Sequence, residues 1–379
     1  MIILKKVLGG NEIKDGKIGS WIKNLAKSGL IQYLMKRIVI LFIVILVAVY
    51  ITIFIANMGG YVDEIIKSDL YMSISMKFKS NPQYNSLPRS KLMELIDAEF
   101  QNEIKRMGLD QPFLIRSFIY LWNSLTLNLG RAMFMTSDSG SRLVKNIILE
   151  RLPQTILLFT TATVINFLIH LFAGLYLSRK YGSFLDKLVL YLAPTSSIPG
   201  WFYGIFLIMI FYSWLHVLPP GGMVDYPPPV EPALYFLSVL KHMVLPISAW
   251  VIGSLFLGIY SNRTFFLIFS MEDHVEVAKA KGLHPRDIER KYILRPTLPP
   301  IITNFALSVI ASWTGAIITE SVFNWPGLGS VAYTAIQYPD TPVIIGINVI
   351  YAYLLAFTVL ILDFIYGLLD PRIKVGGGR

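Results

Sequence analysis

Apolar positions along this chain come in long unbroken runs rather than in the short alternating or one-sided patterns of a soluble fold. Ile38 to Met58 holds no charged residue, and at ~1.5 Å per helical residue it reaches across the ~30 Å hydrocarbon core of a bilayer. Five further runs follow at about 153–177, 188–214, 243–262, 300–322 and 343–367. They predict an all-α integral membrane protein with six transmembrane helices. Pro153 falls at the start of the second run, where a first-turn proline is tolerated. Pro194 and Pro199 flank Thr195-Ser196-Ser197 in the third. That run is expected to be kinked or interrupted, its freed backbone groups satisfied by neighbouring helices or by water in a cavity. The stretch 59–151 is polar and mixed in charge, and no run in it is long enough to span. Leu92, Leu95, Ile96, Phe100, Ile104 and Met107 recur there at helical spacing, with Gly108 as a stop. This predicts a small folded cap rather than a linker.

Composition agrees with a hydrocarbon solvent. Of 379 residues 54% are hydrophobic and 15% charged, the mean hydropathy is +0.56, and the scarce charge is clustered. A formal charge of +10 raises nucleic acid as a partner. The basic residues, however, gather at the ends of apolar runs without interleaved aromatics, so no nucleic acid is expected. There is no cysteine, the five histidines form no HExxH pair, and neither a GxxxxGK[ST] phosphate loop nor a GxSxG elbow occurs. No catalytic residue, metal site or bound cofactor is therefore expected of this chain, and any motor must be another polypeptide.

Charge also orients the spans. The loops after the second and fourth runs carry Arg179, Lys180 and Lys187, then Arg263, Lys279, Lys281, Arg286, Arg290, Lys291 and Arg295. Those after the third and fifth hold only Lys241. The positive-inside rule makes the basic loops cytoplasmic, with both termini inside and the 59–151 cap extracellular. The expected organisation is a cytoplasmic segment 1–37, a first helix 38–58 that stays as a signal anchor, the cap, a five-helix core 152–372 and a tail 373–379. The localisation is the plasma (inner) membrane.

Polar residues inside the runs are candidate functional groups. Thr163, Asn166 and His170 share a helix face and either line a path or hydrogen-bond between helices. Ser196, between the two prolines, marks a gate or a plain kink. Glu320 and Asp363 stand near span ends, close enough to an interface to be solvated or ion-paired. The loop 262–300 is too long and too patterned for a turn. Its segment 275–282 reads as a short helix with small residues on one side and a glycine terminator, and a second helix is expected over 286–294 after Pro285.

That loop, His274-Val275-Glu276-Val277-Ala278-Lys279-Ala280-Lys281-Gly282-Leu283 followed by Ile293-Leu294-Arg295-Pro296-Thr297-Leu298-Pro299-Pro300, resembles the "EAA" loop of ABC importer permeases. It is most similar to the dipeptide/oligopeptide (and nickel) transport family. The segments Leu109–Pro112, Glu150–Thr155, Ile198–Phe202, Leu218–Gly222, Glu320–Gly329 and Asp370-Pro371-Arg372 fit the same family in order. His274 stands where the family has an aromatic, and Val277 where the general consensus has a small residue.

The resemblance implies a coupling helix at 275–282 in which Glu276, Ala278, Ala280, Lys281, Gly282 and Leu283 meet the ATPase, and the family motif around Glu320 implies a structural or gating role for that carboxylate. It also implies a second homologous permease subunit, two ATP-binding subunits carrying ATP and Mg, and an extracellular solute-binding protein. Peptide is the first expected cargo and oligosaccharide the second. A membrane anchor or receptor that uses only its cap is the reading from a different class, and six spans with an elaborated loop argue against it.

Overall fold

The computed structural model describes residues 29–57, 60–84, 87–313 and 315–369, and these are helical apart from loops and one isolated antiparallel bridge, Arg131 to Leu143. The segment before residue 29, Asp370-Pro371-Arg372 and the 373–379 tail lie outside the described residues.

The uncharged first run forms α1 (Gly29–Asn57). Ile45, Val49, Ile53 and Asn57, four residues apart, are buried on one face, while Ile43, Ile51 and Ile55 on the other sides stay exposed. This is the pattern of a helix that packs along a single stripe and presents the rest to lipid.

The cap is helical: α2 (Tyr61–Ser80), α3 (Arg89–Arg106) and α4 (Phe113–Leu125). As the spacing requires, α3 buries Ile96 and Ile104 and ends before Gly108, whose φ is +68°. The cap is fastened by a buried ion pair. Asp63 of α2 lies 2.8 Å from Arg116 of α4 and also accepts the Tyr120 hydroxyl at 2.8 Å. Helix α4 stacks Phe118 on Tyr50 and Phe113 near Phe54 of α1.

Helix α5 runs Val144–Arg179, so Pro153 is interior and not in a first turn as its position in the apolar run suggests. The polar turns ahead of Pro153 are helical because Val144, Ile147 and Ile148 bury themselves against Leu328, Val331 and Val343. Next come α6 (Phe184–Leu192), a 3₁₀ turn over Ala193–Ser197, and α7 (Gly200–Ile208), continued by a wider helical turn to Trp214. The two halves meet at 95°, the expected interruption, so the pair is a broken span or a re-entrant loop.

The bend is stabilised by α8 (Pro232–Ser270), because Gly200 and Gly253 let the two backbones touch. A Cβ on Gly253 would sit 2.8 Å from the Gly200 Cα. At the break the Thr195 carbonyl accepts both the Ile198 amide at 3.1 Å and the Tyr203 hydroxyl at 2.7 Å. At the start of α6, Asp186 receives Nε and Nη2 of Arg263 from α8, each at 2.7 Å, with both groups largely buried.

After α9 (Asp273–Ala280), helix α10 (Pro285–Ser312) is continuous. The fifth apolar run, expected at 300–322, is therefore displaced. Pro296, Pro299 and Pro300 lie inside α10 rather than ahead of it. The helix stops at Ser312, and a separate short α11 (Ile317–Val322) follows. The 286–294 segment is not a second independent helix but the wide-turned first part of α10. The chain closes with α12 (Leu328–Gln337) and α13 (Thr341–Leu369).

Contacts divide the chain into two compact units, 1–47 with 355–379, and 48–354. Within the first, the α13 carboxylate of Asp363 takes the Arg37 Nε of α1 at 2.5 Å and the Tyr33 hydroxyl at 3.0 Å. The expectation that Asp363 is ion-paired holds. Helix α9, the Glu320 segment and both cavities belong to the second unit. Among the described residues five helices are long and apolar enough to cross a membrane, six with the bent pair counted as one.

Candidate functional site

The expected coupling segment is a short helix docked on the base of a long one. Helix α9 carries Asp273 and Glu276 in its first turn and Lys279 in its last, the charge order that its dipole favours. It buries Val275 and Ala278 against Ile288 at the base of α10, with Leu283, Tyr292 and Ile293 closing the cluster. His274, in the position where an aromatic was expected, accounts for itself through Nε2, 2.9 Å from the Tyr292 carbonyl oxygen. The terminator at 282 is required by the backbone. Gly282 has φ +72°, its N–H reaches the Lys279 carbonyl at 2.9 Å, and the Leu283 N–H turns back to Ala278.

Glu276, Val277, Ala280, Lys281 and Gly282 are exposed together. Two of the residues assigned to ATPase contact are not on that face. Ala278 is 1% exposed and is small because α9 and α10 approach closely there, and the half-buried Leu283 belongs to the same internal cluster.

A second group of candidates borders a cavity of about 700 Å3 between α5, α8 and α10. Asn166 and His170 of α5 face Ser254 of α8 and Asn304 and Ser308 of α10 across it, with aromatic walls from Trp250, Phe167 and Phe305. No acidic, Lys or Arg side chain lines it. Asn166 Oδ1 and His170 Nε2 are buried without a hydrogen-bond partner among the described residues. Buried polar atoms left open in this way mark a space for water or a ligand. The His170 ring fits because residue 258 is glycine, since a Cβ there would lie 2.1 Å from the ring. Ser254, Asn304 and Ser308 escaped the sequence reading. Their signal was available, because Ile301, Asn304, Ser308 and Ser312 recur at helical spacing within one apolar run.

Ser196 and Glu320 are not on this cavity. Ser196 sits in the break of the bent span, where its hydroxyl oxygen lies 3.3 Å from the Leu257 amide of α8. Glu320, expected to be solvated or ion-paired, is fully buried and has no ion pair among the described residues. It lies in α11, beyond the end of α10 and outside the long apolar helices. Its carboxylate accepts the Thr155 hydroxyl at 2.9 Å and the Ser330 amide at 2.9 Å. Thr155 in turn accepts the Leu328 amide at 2.7 Å.

Burial raises the Glu320 pKa to about 7 against the lowering effect of these bonds. The approach is so close that a Cβ on Gly327 would stand 2.5 Å from Glu320 Oε2. Nearby, the buried Trp325 donates Nε1–H to the Gln154 carbonyl, and the Gly222 amide donates to the Phe323 carbonyl. Segments 150–155, 218–222 and 320–329, far apart in sequence, thus converge on one knot.

A family model described as a binding-protein-dependent transport system inner membrane component matches residues 170–375. The chain is 31% identical over 297 residues to the di/tripeptide transport system permease protein DppB of Pseudomonas aeruginosa, covering 74% of this chain and 86% of that one. It is 32% identical to the probable D,D-dipeptide transport system permease protein DdpB of Escherichia coli, covering 75% and 86%. Against the oligopeptide transport system permease protein AppB of Bacillus subtilis it is 27% identical over 76% and 89%.

Proposed function

Because the chain belongs to the inner-membrane components of binding-protein-dependent transport systems, we propose that it carries peptides into the cell, driven by separate ATPases docked on α9. The observation that carries this reading is mechanical. Helix α9, with an exposed face free to take a partner, is packed on the base of the helix that walls the cavity. A load on the exposed face of α9 passes through Val275 and Ala278 into Ile288, and α10 delivers it to Asn304 and Ser308.

ATP and magnesium belong to the two ATPase subunits, whose closure moves α9 as a rigid body. The spans have two arrangements that nucleotide and substrate bias differently. A second homologous permease subunit completes the pathway, and a solute-binding protein feeds it from the side of the 59–151 cap. Lys and Arg flanking the spans favour cytoplasmic termini and an extracellular cap.

Peptide is favoured as cargo by the relatives' names and by the cavity, whose amide, imidazole and hydroxyl groups match backbone N–H and C=O without selecting for charge. Oligosaccharide is the second reading, since the same neutral groups suit hydroxyls. Competition between unlabelled dipeptide and oligosaccharide for uptake separates the two.

The test of coupling uses the complete transporter in proteoliposomes. Glu276→Ala and Gly282→Val are expected to lower dipeptide uptake and substrate-stimulated ATP hydrolysis together. Basal hydrolysis by the isolated ATPases stays unchanged. Normal uptake and normal stimulation in both variants would sink the docking assignment.

A further inference from the structure

A second cavity, of about 370 Å3, lies in the cap, between the second half of α1, α2, α4, the 128–133 loop and the start of α13. Its size falls within the ~300–1,000 Å3 of small-molecule sites. Ile53, Ile66, Leu70, Leu129 and Ile345 make most of the wall aliphatic. Set into that wall is Asn57, only 3% exposed. Its amide nitrogen donates to the Ile53 carbonyl at 2.8 Å, but Oδ1 has no partner among the described residues. A buried acceptor of this kind calls for a donor, and a ligand N–H in the cavity supplies one.

Two side chains of opposite charge also border the space. Asp69 is half exposed, and Arg142, its ion-pair partner, is 4.0 Å away, too far for a hydrogen bond. Arg131 makes no ion pair among the described residues. Tyr120 is not available, because its hydroxyl is taken by Asp63.

One cavity thus combines an aliphatic wall, an open acceptor, a carboxylate and a guanidinium, the set that suits a zwitterion with an apolar body. We propose that this cavity binds a short peptide with free termini. The ammonium goes to Asn57 Oδ1 and Asp69, the carboxylate to Arg131, and aliphatic side chains lie against Ile53, Leu70 and Ile345. The site is a loading station separate from the three-helix cavity. It rests on the peptide-transport reading for its cargo but not for its geometry.

The experiment measures equilibrium binding of radiolabelled leucyl-leucine to the complete transporter in phosphatidylcholine nanodiscs, without the solute-binding protein. Saturable binding is expected, weakened roughly tenfold or more by Asp69→Asn and by Arg131→Gln. Both residues are at the surface, and unchanged elution of the assembled complex verifies folding. Acetylating the peptide N-terminus should weaken binding to the wild type and cause no further loss in Asp69→Asn. Amidating its C-terminus should behave likewise with Arg131→Gln.

The proposal is overturned if leucyl-leucine does not bind, or if blocked peptides lose as much affinity in the variants as in the wild type. It is also overturned if binding falls in Asn166→Leu while Asp69→Asn leaves it intact, which would put the peptide in the three-helix cavity. Loss of binding when phosphatidylethanolamine replaces phosphatidylcholine would assign the site to a lipid headgroup and equally end the proposal. Uptake of leucyl-leucine by the same preparation keeps the two readings apart. Uptake without cap binding removes this inference alone, and absence of any peptide uptake removes the transport reading.

Discussion

Replacing Glu320 by glutamine tests whether a buried carboxyl sets the pH response of the knot that joins α5, α11 and α12. Burial moves the Glu320 pKa from 4.5 to about 7, while the Thr155 hydroxyl and Ser330 amide hold the ionised form in place. The folded state therefore binds this proton more tightly than the unfolded chain does. Its contribution to stability is complete below the unfolded value of 4.5, is lost as pH rises towards about 7, and is flat above that.

A shift of this size corresponds to about 3 kcal/mol. Glutamine keeps the shape and one acceptor oxygen but cannot ionise. The variant should unfold at a higher temperature than the wild type near pH ~8, and the two curves should converge near pH ~5. The gap at high pH is reduced somewhat, because the amide is a weaker acceptor than a carboxylate. Thermal unfolding of the purified protein in nanodiscs, followed by tryptophan fluorescence across that range, reads the difference directly. A wild type and variant whose difference does not change with pH would refute the reasoning.

Asp186→Asn leaves Arg263, 12% exposed, without its two-pronged partner, and breaking a buried pair in this way costs about 3–5 kcal/mol. A marked drop in unfolding temperature is expected. Ala278→Leu forces a larger side chain between α9 and α10, costing roughly 1–3 kcal/mol, and should lower uptake and stability together. Val277→Ala, on the exposed face of α9, should leave unfolding unchanged and affect only transport-linked ATP hydrolysis. Gly253→Val places a Cβ 2.8 Å from the Gly200 Cα, so the bent span cannot seat on α8. Less assembled protein should then be recovered by fluorescence-detected size exclusion.

Much of the fold is legible in the sequence because hydrocarbon imposes a single rule on every span, that backbone polar groups be satisfied within the segment. Long apolar runs therefore announce α1 and α13, the paired prolines announce the bend at 198–199, and the spacing of Ile96 and Ile104 announces α3. The glycine at 282 is equally readable, since only a left-handed residue ends α9 as it does. Boundaries were less accessible. Hydropathy locates apolar runs, but α5 extends nine residues before Pro153 because its polar turns find tertiary partners in α12 and α13. Helix α10 begins well ahead of its apolar stretch for a similar reason, with Ile288 covered by α9.

The candidate residues divide along the same line. Sequence alone determined that this is a helical membrane protein without a recognisable motor, and that 275–282 is a short helix closed by glycine, because periodicity, charge and backbone conformation are local properties. Which face of that helix is free depends on what lies beneath it, and only the tertiary structure showed Ala278 and Leu283 to be inside. Asn166 and His170 could line a path or bond to neighbours, and that choice required α8 and α10 to be in place around them. Glu320 looked like a carboxylate near an interface. Three distant segments fold over it, and the loss of water that results is what moves its proton affinity, since desolvation is set by the atoms that surround a group and not by its neighbours in sequence.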